Sequence, residues 1–313
     1  MAGIIYFIIP CYNEEKALPI TAQILYRKMH TLQKIGLAAL ESRILFVDDG
    51  SKDHTWKKIE QLAVSDSLFT GIRLSHNRGH QNALLAGLMT ARRYADASIS
   101  MDADLQDDVD VVEQFIKLYN DGYDIIYGVR SSRTKDTLFK RMTAEGFYRF
   151  MQAMGVEMVF NHADYRLMSK RALDALSKYK EVNLFLRGIV PLIGLRTATV
   201  PYERKERVAG ESKYPLRKML AFALDGITSF SVRPIRLLTI IGLLISCAST
   251  LAFIYVLVAH FAGFSVPGWS SLACSIWFLG GVQLLALGLI GEYIGKIYAE
   301  TKHRPRYLIE KQV

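Results

Sequence analysis

Between Leu237 and Ala259 the chain carries no charged side chain for 23 positions. As a helix this run would be about 35 Å long, against a bilayer hydrocarbon core of about 30 Å. A break containing Pro267 and Gly268 follows, and a second uncharged run extends from Ser271 to Gly291. Soluble cores rarely need two such runs in succession, so the pattern predicts a transmembrane hairpin with spans at about 237–259 and 271–291. Arg233 and Arg236 precede the first run, Lys296, Lys302, Arg304 and Arg306 follow the second, and the connecting loop has no Lys or Arg. The positive-inside rule then places both termini in the cytoplasm and a short loop outside the cell membrane. Trp269 and Tyr298 stand where an aromatic belt is expected. Ile4–Ile9 is too short an apolar run, with no basic residue before it, to be a signal peptide.

The net charge of +9 is unevenly placed: residues 1–186 hold 24 basic and 23 acidic side chains, and residues 187–236 hold 10 and 4. This basic block abuts the apolar runs and lacks interleaved stacking aromatics, which argues for a bilayer surface and against nucleic acid. Within it, Met219, Leu220, Phe222, Ala223 and Ile227 form the apolar face of a predicted juxtamembrane helix, with Arg217 and Lys218 near its start. A helix lying on anionic headgroups and an ordinary packed amphipathic helix fit this pattern equally. Composition, with 50% hydrophobic and 22% charged residues, excludes disorder. Cys11, Cys247 and Cys274 have neither disulfide-framework nor zinc spacing. The expected division is a cytosolic domain over 1–213, a juxtamembrane segment over 214–232, and the hairpin with a basic cytosolic tail over 233–313.

The first 130 residues alternate short β-rich runs with helical patterns. Ile4–Ile9, Ile44–Val47, Gly71–Leu74, Ser98–Met101 and Asp124–Tyr127 read as strands, and Glu15–His30, Thr55–Leu62, Gln81–Tyr94 and Val109–Tyr119 as helices. That alternation predicts an α/β fold, a Rossmann-like and mostly parallel sheet flanked by helices. Ligands of such sheets collect beyond the carboxyl ends of the strands. Three strand ends there are polar: Pro10-Cys11-Tyr12-Asn13-Glu14-Glu15, Asp48-Asp49-Gly50-Ser51-Lys52-Asp53 and Asp102-Ala103-Asp104-Leu105-Gln106-Asp107. Asp102 and Asp104, at i and i+2 leaving a strand, point to one side and would repel unless a hard divalent cation joined them.

The segments IIPCYNEE, VDDGSKDHT, HNRGHQNALLAGL and MDADLQDD, in that order, resemble a family 2 glycosyltransferase of the GT-A type. The likeness continues through YGVRSSR, FYRFMQ, HADYRLMS, NLFLRGI and RVAGESKY and into the apolar tail. Over the whole chain it is similar to polyprenyl-phosphate glycosyltransferases, bactoprenol glucosyltransferases in particular. The resemblance implies inverting transfer of a hexose from UDP-glucose or UDP-N-acetylglucosamine to polyprenyl (undecaprenyl) phosphate on the cytosolic leaflet. It implies that Pro10, Tyr12, Asn13, Glu14, Asp49, Ser51, Asp102 and Ala103 bind the nucleotide sugar. Asp102, Asp104 and Gln106 would hold Mg2+ or Mn2+ against the diphosphate, where negative charge builds as the nucleotide departs. A lipid phosphate acceptor is already anionic and needs cations more than a base, which points to Arg130 and Arg133, directly after the fifth strand, and to Arg207, Ser212 and Lys213. Asp164 matches the family's candidate catalytic aspartate, with general base and orienting group both open; Asp104 and Arg130 complete the catalytic set. The usual reading there is Gly-Asp-Phe, so Ala163 and Tyr165 depart from it, as do Asp107-Asp108-Val109 where many relatives carry proline.

No Q-x-x-R-W motif is present, which disfavours a processive polysaccharide synthase. A catalytically inactive, membrane-anchored scaffold would have a broken D-x-D or lost cations, and both are intact. A transporter would need intramembrane ionisable pairs, whereas Glu292 is the only acidic residue near the spans. Gly280, Gly281, Gly291 and Gly295 permit close helix contacts and fit a homo-oligomer, with a tetramer implied by resemblance alone. A flippase is the expected functional partner.

Overall fold

The computed structural model describes residues 2–130, 162–182, 184–203, 231, 233–261 and 268–313. Arg133, Arg207, Ser212, Lys213 and the juxtamembrane segment apart from Ser231 lie outside the described residues. The chain divides into two units, one of residues 1–149, 157–215 and 304–313, the other of residues 150–156 and 216–303.

The first unit is built on strands β1 (Ile5–Cys11), β2 (Arg43–Asp48), β3 (Phe69–Leu74), β4 (Ala97–Ser100), β5 (Ile125–Arg130), β6 (His162–Ser169), β7 (Thr197–Tyr202) and β8 (Ile309–Gln312). They form one sheet in the order β7-β5-β6-β4-β1-β2-β3-β8. β1 pairs in parallel with β2 and β4, β2 with β3, and β5 with β7. β6 lies antiparallel between β4 and β5, and β8 antiparallel along β3. Helices α1 (Leu18–Lys34), α2 (Thr55–Ser65), α3 (His80–Ala91), α4 (Val112–Asn120), α5 (Lys170–Leu176) and α6 (Leu186–Leu192) complete the described part of this unit.

β1 and β2 read as continuous apolar runs because both faces of a parallel sheet are covered. Ile5, Phe7 and Ile9 join Leu25 and Met29 of α1, Trp56 and Ile59 of α2 and Phe115 of α4 in one fully buried cluster. On the opposite face Ile8 and Val47 meet α3, and Gly87 is what permits the close approach. A Cβ built there would lie 2.4 Å from Ile8 Cγ2 and 2.7 Å from Val47 Cγ2.

All five expected strands and all four expected helices recur within a few residues. The fifth strand runs further than expected, so Arg130 closes β5 instead of following it, because β7 pairs along its whole length, as far as Arg130 beside Tyr202. α1 begins at Leu18, later than expected, because residues 13–15 are drawn into bonds with the second strand end. Asn13 takes a left-handed conformation, φ 55°, and its amide donates to Ser51 Oγ at 2.9 Å. Glu14 N donates to Thr55 Oγ1 at 2.9 Å and Glu15 N to Asp53 Oδ2 at 3.2 Å.

In the second unit α7 (Arg233–Phe261) and α8 (Trp269–Thr301) contain the two uncharged runs and extend beyond them. Among the described residues, one stretch, Phe278–Thr301, is long and apolar enough to cross a membrane. Leu243, Leu244, Leu251, Leu272, Leu284 and Leu287 are all more than half exposed, an apolar surface left open among the described residues.

Replacing Gly87 by Ala is expected to destabilise the first unit by about 1–3 kcal/mol through overpacking against Ile8 and Val47. Chemical denaturation of the detergent-solubilised protein measures this, and an unchanged midpoint would show that α3 can move outward without loss.

Candidate active site

β1, β2 and β4 end side by side, so the three polar strand ends meet along one rim of the sheet. After β4 the chain turns sharply through Leu105, φ 51°. The turn is fixed from below by Thr21 Oγ1, which donates to Ala103 O at 2.7 Å. Gln106 N donates to Asp104 Oδ1 at 3.2 Å. Asp102, Asp104 and Gln106 are half-buried, and Asp107 is buried. Burial, with the negative charge of Asp164 and Asp104 added, pushes the Asp102 carboxyl up. Two carboxylates gathered in this way suit a hard divalent cation. Among the described residues no group of three or more His, Cys, Asp or Glu is arranged to hold a metal. The pair therefore fits as part of a shell that a bound ligand's oxygens would complete.

β6 brings the second group to this rim. Antiparallel pairing sets Arg166 beside Ser100, and Ser100 Oγ donates to Asp164 O. The Asp164 carboxylate, only 6% exposed, accepts from Arg166 Nη2 at 2.7 Å and from Arg187 Nη2 at 3.0 Å, with Arg187 Nε 3.4 Å from Oδ1. His80 Nε2 lies 3.6 Å from Asp164 Oδ2 and 3.5 Å from Asp102 Oδ1. Burial alone would raise the Asp164 carboxyl, but Arg187, His80 and Arg166 together hold it well below the usual carboxylate range. Burial likewise opposes charge on His80, and the Asp164 and Asp102 carboxylates outweigh it, so its pKa is raised.

Asp49, expected at the nucleotide, is buried, with Oδ1 accepting from Arg78 N at 2.7 Å and Oδ2 from Gly79 N at 2.9 Å. It fixes the loop that presents His80 at the start of α3. Ser51 is buried and engaged with Asn13; Pro10 is buried within β1, and Ala103 is buried beneath the acidic turn. Tyr12 is 40% exposed on the rim and Glu14 half-buried beside it. Arg130 stands at the end of β5, where its Nε donates to Tyr202 Oη at 3.4 Å.

The sequence reading passed over His80 and Arg187. His80 follows β3 and could have been found by extending the strand-end rule to that strand; Arg187 has no spacing signal, since α6 carries it in from 23 residues beyond Asp164.

The description of Glycosyl transferase family 2 matches residues 6–177. The chain belongs to this family and is a glycosyltransferase of GT-A type architecture. It is 51% identical over 98% of its length to the uncharacterized glycosyltransferase YkoT of Bacillus subtilis, covering 91% of that protein. It is 41% identical to the bactoprenol glucosyl transferase of Shigella phage SfV over 98% of both chains. To the prophage bactoprenol glucosyl transferase homolog of Escherichia coli K12 it is 40% identical, again over 98% of both.

Asp164→Asn is expected to destabilise the protein by about 3–5 kcal/mol, because Arg166 and Arg187 lose a buried counter-charge. Since the folded pKa of Asp164 is depressed, its contribution is fully present above the unfolded carboxyl value and is lost as pH falls through the folded one. Unfolding curves of the two proteins should therefore differ at pH 5 at least as much as at pH 8, because His80, whose pKa Asp164 raises, adds to the gap at the lower pH; a gap that closes by pH 5 contradicts the assignment.

Proposed function

We propose that this glycosyltransferase moves a hexose, with inversion, from UDP-glucose or UDP-N-acetylglucosamine to polyprenyl (undecaprenyl) phosphate at the cytosolic face of the cell membrane. One observation carries the reading: the 41% identity to a bactoprenol glucosyl transferase extends over 98% of both chains, the long apolar helices included. The apolar runs in α7 and α8 then act as a two-span hairpin with both termini cytoplasmic, residues 1–213 as the catalytic domain and 214–232 as the juxtamembrane segment. The glycines of α8, at which an added Cβ would meet nothing within 4 Å, leave room for a second copy in a homo-oligomer. The product, carrying a polar sugar on the inner leaflet, would need a flippase to reach the outer one.

The arrangement of charge supports this division of tasks. Asp102 and Asp104, with Gln106, would hold Mg2+ or Mn2+ facing the diphosphate, and Pro10, Tyr12, Asn13, Glu14, Ser51 and Ala103 would border the nucleotide sugar. The cation, when bound, neutralises charge developing on the leaving diphosphate. A carboxylate kept ionised by three cations is a weak proton acceptor, and a phosphate acceptor has no need of a base at neutral pH. Asp164 therefore serves as an orienting group: it holds Arg187 and Arg166 in place and keeps positive charge at the rim. Arg130, beyond the acidic turn, binds the acceptor phosphate, with Arg133, Arg207, Ser212 and Lys213 assigned to the same anion from sequence alone.

The test is transfer of label from a panel of radioactive UDP-sugars into organic-extractable lipid, using purified protein, undecaprenyl phosphate and Mg2+ or Mn2+. Label from one donor is expected, abolished by EDTA and reduced about 100-fold or more in Asp104→Ala. Absence of lipid label from every donor, with nucleotide binding retained, would overturn the lipid acceptor.

A further inference from the structure

Behind the acidic turn lies a cluster in which Tyr202 and Asp107, given no role above, meet Arg130. Tyr202, the last residue of β7, is 3% exposed, and its hydroxyl donates to Asp107 Oδ1, itself on a residue only 5% exposed. The same hydroxyl oxygen accepts from Arg130 Nε at 3.4 Å. The pairing of β5 with β7 places Arg130 directly beside Tyr202. One hydroxyl thus joins the acidic turn to the cation at the end of β5. Neither Nη group of Arg130 has a hydrogen-bond partner among the described residues.

The tyrosine ring has little freedom. It meets Tyr165 edge-on, with centroids 5.3 Å apart and planes at 87°. Gly128 makes room for both: a Cβ there would lie 2.7 Å from Tyr165 Cδ1 and 3.1 Å from Tyr202 Cε1. Tyr165 in turn donates its hydroxyl to Asp108 O at 2.9 Å. Two tyrosines therefore grip consecutive residues of the segment that follows Asp102, Asp104 and Gln106. An arginine bonded through Nε has its guanidinium plane fixed and presents its two Nη groups as a fork, the geometry that suits a phosphate.

We propose that Tyr202 and Asp107 are positioning residues: the hydroxyl, held by the buried carboxylate, fixes the Arg130 guanidinium so that its open edge receives the phosphate of the acceptor. The proposal rests on the reading of Arg130 as an acceptor-binding group, and a double-mutant cycle separates the two. Tyr202→Phe removes the hydroxyl and keeps the ring. With undecaprenyl phosphate as the varied substrate and the donor active in the label assay held saturating, the variant should raise the acceptor KM about five- to tenfold. The donor KM and kcat should change less than about twofold, a split that general loss of structure would not produce. Asp107→Ala, which leaves Tyr202 and Arg130 in place, should show the same split and serves as the second variant. Arg130→Ala should raise the acceptor KM at least as much, and adding Tyr202→Phe to it should have no further effect. Independent, multiplying effects in the double variant, or a normal acceptor KM in Tyr202→Phe, overturn the positioning role while Arg130 keeps its own. A normal acceptor KM in Arg130→Ala removes the Arg130 reading and the proposal with it.

Discussion

The Asp164 carboxylate is the interaction on which the candidate site depends. It is buried, as is Arg166, and taking both charges out of water is costly unless geometry is good and the remaining lone pairs are used. On the carboxylate they are used: two arginines and a histidine converge on two oxygens, and the main-chain carbonyl of the same residue accepts from Ser100, whereas Nε and Nη1 of Arg166 are buried without a hydrogen-bond partner among the described residues. Those partners come from β4, β6, α3 and α6. A single residue therefore ties four elements together, adding to the β4–β6 ladder and to the hydrogen bond from Leu186 N of α6 to Gln81 Oε1 of α3. The consequence is a rim with two electrical characters, acidic at Asp102 and Asp104, basic where Arg187 and Arg130 stand. The proposed donor, a nucleotide diphosphate with its counter-ion, and the proposed phosphate acceptor would each find a matching side of that rim.

The two places where the chain departs from the usual family pattern are in contact. Tyr165 stands where phenylalanine is usual, and its additional hydroxyl reaches the carbonyl of Asp108, in the segment where proline is usual. Asp108 caps the short 3-10 turn Val109–Val111 by accepting from Asp110 N at 3.2 Å, doing with a side chain what proline does by restricting its backbone. The departures thus supply a cap and a cross-strand tether to the same turn. The backbone around Asp164 is irregular on its β5 side, where the ladder shifts register between Tyr127 opposite Arg166 and Val129 opposite His162, while Arg166 keeps its place beside Ser100.

Much of the parallel half of the fold was legible in residues, because continuous apolar strands separated by amphipathic helices leave few alternatives. Ile5–Cys11 and Arg43–Asp48 end where polar residues begin, and so the rim could be located before any geometry was known. The antiparallel strand β6 was not legible: HADYRLMS mixes charge with apolar residues, since Asp164 and Arg166 neutralise each other inside. A buried ion pair hides a strand from any reading based on hydropathy. β8 was hidden for a different reason, as its four residues are exposed and owe their conformation entirely to the open edge of β3. Arg187 and Tyr202 share a third cause: each reaches the site through tertiary pairing across 23 residues or more from its nearest charged partner in the rim.

That last strand shows how the far end of the sequence bears on the site. Edge strands expose unpaired amides and carbonyls and invite association. Here residues 309–312 cover the β3 edge, with Val313 exchanging main-chain hydrogen bonds with Gly71 at 2.9 and 3.0 Å. Leu308 O accepts from Ser75 N at 3.0 Å, at the first residue after β3, and Arg306 Nη2 donates to Tyr179 O at 2.6 Å. The segment from Ser75 to Gly79 leads directly to His80 and is held at its other end by Asp49. The loop carrying the histidine is therefore pinned from both sides, by the Asp49 carboxylate just after β2 and by residues 308–313. Local loop composition has little part in this. A polar five-residue loop would be free to move on its own, and its order follows from the sheet on one side and the tail on the other.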